Sequence, residues 1–299
     1  ILVGPWSHEV PEGTSLGDMD FGESAPVDMR EENKRWFDWQ LKGVEGDLYD
    51  RPPIRLFVTG SNQWRYEHQW PLDRTRWTPY YLSSGGSANS LAGDGMLCSD
   101  PPGNEPPDHF EYDPQEPVPT RGGVLSVTLM TSHAEEPMRA GPIDQQSVER
   151  RGDVLVYTST PLECDTEVIG PVTVVLYAES SARDTDFTAR LTDVDPAGCS
   201  RVMTEGIIRA RYRKSLSETE LLEPGVADRF QIELWPIGHV FRKGHCFRLD
   251  ISSSNFPRFS RNLNTGEDVA TGTRMQTARQ TVLHSTQYPS HIILPLVDA

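Results

Sequence analysis

The densest chemical signal in the sequence is Leu2-Val3-Gly4-Pro5-Trp6-Ser7-His8. An apolar run ends at Val3, a Gly-Pro turn follows, and a histidine comes soon after. An imidazole on a loop leaving the end of a buried strand is placed for general-base work. It takes the proton from a serine hydroxyl and returns it to the leaving group. A lone histidine is more often structural, so the position of His8 carries this reading and the residue type alone does not. Further along, Gly13-Thr14-Ser15-Leu16-Gly17 has the G-x-S-x-G spacing of a nucleophile elbow. An elbow needs an apolar strand before it and a helix straight after, to hold the serine on a strained turn. Glu9-Val10-Pro11-Glu12 precedes Ser15 and Asp18-Met19-Asp20 follows. Neither context fits, and Ser15 also comes after the histidine rather than before it. Ser15 is not read as a nucleophile.

Two other clusters invite a metal reading. His239 and His245 stand near Gly238, Lys243 and Gly244 with no third ligand in sight, so they are read as exposed imidazoles on a turn. Asp184, Asp186, Asp193 and Asp195 lack the spacing of an EF-hand and are read as strand-edge and turn carboxylates. No phosphate-binding glycine loop occurs. No metal and no cofactor is implied.

Composition bounds the partners. The 299 residues carry 28 Lys+Arg against 44 Asp+Glu, a net charge of −16. Such a surface argues against nucleic acid and against anionic membrane. The apolar runs are far too short for a membrane span. Hydrophobic residues at 36% and seven Trp suffice for a core. The four cysteines, Cys98, Cys164, Cys199 and Cys246, are widely spaced and include no CxxC pair. They are expected to be free, buried or half-buried thiols in a reducing cytoplasm. The opening Ile1-Leu2-Val3-Gly4 reads as the end of a buried strand, so the chain is expected to start inside a larger domain.

The elements that must position His8 follow from patterning. Met29 to Lys42 reads as a helix, with Pro26 and Asp28 as start signals and Gly43 as a stop. Its Trp36, Phe37, Trp39 and Leu41 predict a buried aromatic stripe. After Pro52-Pro53 come short β-rich runs with turn punctuation. They are Ile54–Thr59, Trp64–Trp70, Pro79–Leu82, Val154–Thr158, Val168–Tyr177, Asp186–Val194 and Val202–Tyr212. Phe230–Trp235, Cys246–Ser252 and Ile292–Val297 complete the set. The alternation in Asp186–Val194 predicts a half-buried strand, and Asp195-Pro196-Ala197-Gly198 a hairpin turn after it. Many strands with almost no helix signal predict a mainly β sandwich or barrel.

Several segments resemble one family. Leu2 to His8 with Gly17-Asp18-Met19-Asp20-Phe21-Gly22 resembles the catalytic-histidine region of the CocE/NonD serine hydrolases. That group is related to X-Pro dipeptidyl-peptidases and α-amino-acid ester hydrolases. Asp184 to Leu191, Gly206 to Arg213, Ser252 to Phe259 with Arg261-Asn262, and Pro289 to Pro295 resemble the same family's C-terminal domain. The resemblance runs over essentially the whole chain. It implies that residues 1–50 are the last strand, His loop and C-terminal helix of an α/β-hydrolase domain. Residues 51–299 would then be a jelly-roll β-sandwich. His8 becomes the general base of a Ser-His-Asp triad that hydrolyses esters or amides through an acyl-enzyme. The serine and aspartate lie upstream of Ile1 in this reading, so the chain alone is inactive. The segment Gly122 to Gly141 corresponds to a pocket wall, which makes Ser126, Val127 and Leu129 candidate substrate contacts, with Trp6 beside His8. The implied partners are a small ester or peptide-like substrate, the missing hydrolase portion, and a second copy of the chain through the uncovered surface. The rival reading is a non-catalytic β-sandwich that binds carbohydrate or a protein through an exposed patch of Trp64, Trp70 and Trp77. It leaves residues 1–50 without a use.

Overall fold

The computed structural model of the chain describes residues 1–7, 13–44, 50–124, 139–268 and 270–298. The opening apolar run forms a short strand, β1 (Leu2–Val3). A two-stranded ribbon follows, β2 (Ser15–Leu16) and β3 (Met19–Asp20), and then helix α1 (Met29–Lys42). Strands β4 (Ile54–Val58) and β5 (Gln63–Glu67) pair with β1 in a three-stranded sheet of order β1-β4-β5. β1 runs parallel to β4, with Leu2 opposite Arg55 and Val3 opposite Leu56. The run Ile54–Thr59 therefore does not join the large sheet, as a continuous series of sandwich strands implied. Its buried side chains Ile54, Leu56 and Val58 instead pack on Ile169, Val240 and Val297.

The remaining strands form one mainly antiparallel sheet. Its first members are β6 (Thr75–Ser83), β7 (Met96–Cys98) and β8 (Asp108–Tyr112). After a short helix, α2 (Gln146–Glu149), come β9 (Leu155–Ser159), β10 (Thr166–Ser180), β11 (Asp186–Val194) and β12 (Ser200–Arg209). The set closes with β13 (Asp228–Phe241), β14 (Cys246–Ser252), β15 (Ala278–Leu283) and β16 (His291–Val297). The order is β12-β11-β14-β9-β7-β6-β16-β10-β15-β8, with β13 on β10. Side chains from both wings, among them Phe187, Phe230, Phe241, Phe247, Leu176 and Ile292, meet in one core. A β-branched or aromatic residue on every second position of these strands is what a pleated, half-buried surface requires. The mainly β expectation holds.

Three local expectations differ. All nine residues of β11 are buried, not alternate ones, because β11 lies between β12 and β14 and its polar side chains are covered by buried partners. Helix α1 starts and stops where the sequence placed it. Asp28 Oδ1 accepts from the N–H of Arg30 and Glu31, and Gly43 closes the helix at φ 66°. Its aromatic stripe is not buried: Trp36 and Phe37 are each 50% exposed. A side-chain ion pair, Glu32 to Arg55 at 3.0 Å, ties the helix to β4, and Trp36 and Trp39 line a hollow shared with Ile1, Leu2 and Pro53. The four cysteines are free, and Cys164 is exposed where half-burial was expected.

Candidate active site

The sequence-predicted site begins at the carboxyl end of β1. Gly4 lacks a side chain for a steric reason: a Cβ there would sit 1.9 Å from the Trp6 ring. The indole thus folds back over the turn and meets Trp64, ring centroids 5.8 Å apart. Trp64 packs on Phe57 at 5.3 Å, and Phe57 on Phe21 at 6.1 Å. The Trp64 indole N–H donates to the Ser24 carbonyl at 2.8 Å, and the Arg55 guanidinium lies 4.3 Å above its ring. This ladder fixes the strand end against the small sheet.

Between the ladder and the large sheet lies a cavity of about 610 Å³. One wall is Val3, Gly4, Pro5, Trp6 and Ser7; the other is built by Val202 to Glu205 of β12 and Pro236 to His239 of β13. Phe21, Phe57 and Val124 make much of the remainder apolar. A mostly apolar hollow with few polar groups is the usual form of a small-molecule site.

The β2-β3 ribbon closes one end and is clamped to the sandwich. The Asp18 N–H donates to the Pro142 carbonyl at 2.8 Å, and the Asp18 carboxylate accepts from the Asp144 N–H at 3.1 Å. Arg139 donates to the Gly17 carbonyl and pairs with Asp18 at 3.0 Å. Gly141 is at φ 91°, where a Cβ would press to 2.5 Å from Leu16 Cγ. Gly123 and Gly141 exchange both backbone hydrogen bonds, at 2.8 and 2.9 Å.

Of the residues singled out from the sequence, Trp6 lines this cavity as well as packing on Trp64. His8, Ser126, Val127 and Leu129 lie outside the described residues. Ser15 is exposed in β2, opposite Asp20, and not on a strand-to-helix turn. The three tryptophans of the rival reading have separate settings. Trp64 belongs to the ladder, Trp77 stands on β6 opposite Pro295, and Trp70 flanks a second apolar hollow with Trp235.

His245 closes the turn between β13 and β14, where its N–H donates to the Arg242 carbonyl at 3.0 Å, but His239 is a strand residue and neither imidazole is exposed. His239 is 1% exposed and converges with His245 on Asp193, at 3.2 and 2.8 Å. The sequence pattern ends the strand that carries His239 at Trp235, because the alternation breaks at Trp235-Pro236, both exposed, whereas β13 runs on to Phe241. Asp195 is a turn carboxylate as expected, accepting from the N–H of Ala197 and Cys199, but Asp184, Asp186 and Asp193 are buried partners and not edge groups. Asp184 pairs with Arg211 and Asp186 with Arg209, while Asn262 donates to both carboxylates at 2.8 and 2.9 Å. Burial pushes the Asp186 carboxyl up despite the arginine. The segments that carried the family resemblance thus build a buried polar lattice that locks strands together. Arg190, Arg258 and Asn255 add to it by surrounding Glu205 at the cavity wall. Among the described residues, no cluster of three or more metal-ligating side chains forms. No described helix is long and apolar enough to cross a membrane.

A mainly β domain thus shares a cavity with the end of β1, and comparison with known proteins identifies its class as the C-terminal domain of hydrolases. Residues 47–293 match the X-Pro dipeptidyl-peptidase C-terminal non-catalytic domain, and the chain belongs to that family. It is 39% identical to a cocaine esterase of Rhodococcus sp. (strain MB1 Bresler), over 99% of this chain and 51% of that protein. Two solved structures each align over 99% of this chain and 49% of their own. One is an aminopeptidase from a marine sediment Thaumarchaeota archaeon, with 25% identity and TM-score 0.85. The other is an α-amino acid ester hydrolase, with 28% identity and TM-score 0.82. The resemblance read from the sequence is borne out. The chain spans about half the length of the relatives it matches.

Proposed function

We propose that the chain is the sandwich-bearing part of a serine hydrolase that cleaves esters or amides through an acyl-enzyme. In this reading His8 is the general base. The nucleophilic serine and the triad acid come from outside these 299 residues, from a hydrolase portion that packs over β1 and α1. The observation that carries the reading is the cavity of about 610 Å³ walled by Val3 to Ser7, the residues directly before His8. The division at residue 50 between hydrolase end and sandwich belongs to the same proposal, and so do Ser126, Val127 and Leu129 as further wall residues.

The chemistry follows from general principles. His8 accepts the serine proton as the hydroxyl attacks the carbonyl carbon, and the acyl-enzyme forms as the alcohol or amine leaves with that proton. Water then attacks the acyl carbon as His8 takes its proton, and His8 passes that proton to the departing serine oxygen as the acid is released. The mechanism needs no metal or cofactor. The matched esterase, aminopeptidase and ester hydrolase lend support to this reaction class. The exposed aromatic face of α1 fits a surface that another part of the protein covers.

The test is steady-state hydrolysis of p-nitrophenyl esters by the gene product that carries this chain. His8→Ala is expected to lower kcat by about 10⁴-fold with little change in KM. A variant that retains wild-type kcat removes His8 from the mechanism.

A further inference from the structure

The sandwich wall of the cavity holds an ordered run of polar groups that the hydrolase reading leaves unused. Thr59 follows β4 and lines the cavity. Its Oγ1 lies 2.8 Å from His239 Nδ1 and 3.1 Å from the Gly238 carbonyl. On the other side of the ring, His239 Nε2 is 3.2 Å from Asp193 Oδ2. The second Asp193 oxygen faces His245 Nδ1 at 2.8 Å.

Counting hydrogens fixes what this run offers. An ionised carboxylate only accepts, so His239 Nε2 carries a hydrogen toward Asp193. Two arrangements satisfy that condition. In a singly protonated ring Nδ1 is bare and receives the Thr59 hydroxyl hydrogen. In a doubly protonated ring Nδ1–H donates to Oγ1, and the Thr59 hydrogen turns to the Gly238 carbonyl. In both, the hydroxyl hydrogen stays within the protein and a lone pair of Oγ1 remains for the cavity. On the β12 wall the neighbouring polar side chains are committed elsewhere. Thr204 donates to the Trp235 carbonyl at 2.7 Å, and Glu205 is surrounded by Arg190, Arg258 and Asn255.

We propose that Thr59 is the hydrogen-bond acceptor that sets the specificity of this cavity. The ligands it selects carry an N–H or O–H donor on an apolar or aromatic body. Asp193 acts behind it as a positioning residue, by holding the His239 hydrogen on Nε2. The inference rests on the hydrolase reading for the role of the cavity, where it favours donor-bearing esters or amides over plain ones.

Phenol and anisole are the probes, since they share a ring and differ in the donor. Phenol loses more hydration on entry, so an apolar wall without an acceptor favours anisole. Binding is read from the Met203 methyl resonance, assigned with Met203→Leu, in the gene product that carries this chain. Phenol is expected to bind about tenfold more tightly, the worth of one hydrogen bond. Thr59→Val should abolish that preference and Thr59→Ser keep it. Equal affinities in the wild type, a preference that survives Thr59→Val, or a Met203 signal that answers neither probe overturns the proposal. The readout is binding alone. A phenol preference without ester turnover therefore sinks the hydrolase reading, while turnover without the preference sinks only this one.

Discussion

Replacing His284 by Gln should lower stability most in mildly acid solution, and least in base. The imidazole is fully buried between two carboxylates. Nε2 is 2.8 Å from Asp108 and Nδ1 is 3.2 Å from Glu105. Burial alone pushes the ring's pKa down, but the bonds to Asp108 and Glu105 outweigh it and hold His284 above its usual value. Burial likewise pushes Asp108 up, yet His284, the Ala88 N–H, Ser84 and Tyr157 together hold it below the usual carboxylate range. A histidine raised in the folded state stabilises fully below its unfolded pKa of about 6.5, and loses that contribution as pH rises through the folded value. A lowered aspartate stabilises above about 3.9 and loses the contribution as pH falls through its own folded value. The pair is therefore strongest between about pH 4 and 6.5. Removing one partner of a buried ion pair costs about 3–5 kcal/mol. One linked proton bounds the pH slope at roughly 1.4 kcal/mol per unit. Urea unfolding of the wild type and His284→Gln from pH 5 to 9 gives the difference directly. It should be near the full cost at pH 6 and shrink steadily above it. A difference that does not change with pH refutes the ion-pair account.

Two further outcomes follow from the clamp and the bare helix face. Gly141→Ala puts a Cβ 2.5 Å from Leu16 Cγ at a positive φ, so the β2-β3 ribbon must shift. Thermal unfolding should show a loss of about 1–3 kcal/mol, and ester turnover should fall roughly ten- to hundredfold as the β2-β3 ribbon at the end of the cavity moves. Gly152→Ala, in open space, is the silent control. The 299-residue chain by itself should self-associate through Trp36 and Phe37. Sedimentation velocity of the double variant Trp36→Glu, Phe37→Glu should show the monomer restored at the same concentration.

Legibility in the sequence followed locality. Helix α1 was readable to the residue because Asp28 and Gly43 act through bonds one turn away. The bounds of β11 were readable because its apolar-polar pattern and the turn after it are local too, while its full burial comes from β12 and β14 on either side. Short strands such as β7 and β8 were not, since their three to five residues gain strand geometry only from β6, β9 and β15 beside them. The site divided in the same way. The strand-end position of His8 is a sequential feature. The convergence of Thr59, His239 and Asp193 joins residues from β11, β13 and the end of β4, and no spacing in the chain announces it. Likewise the parallel pairing of β1 with β4 spans a loop and a helix, so Ile54 to Val58 looked like one more sandwich strand.

Fluorophosphonate labelling of the gene product that carries this chain tests the central claim most directly, because the probe reacts only with an activated serine. The account predicts one labelled serine outside these 299 residues, and loss of labelling in His8→Ala. Labelling that survives His8→Ala, or that falls on Ser15, contradicts it.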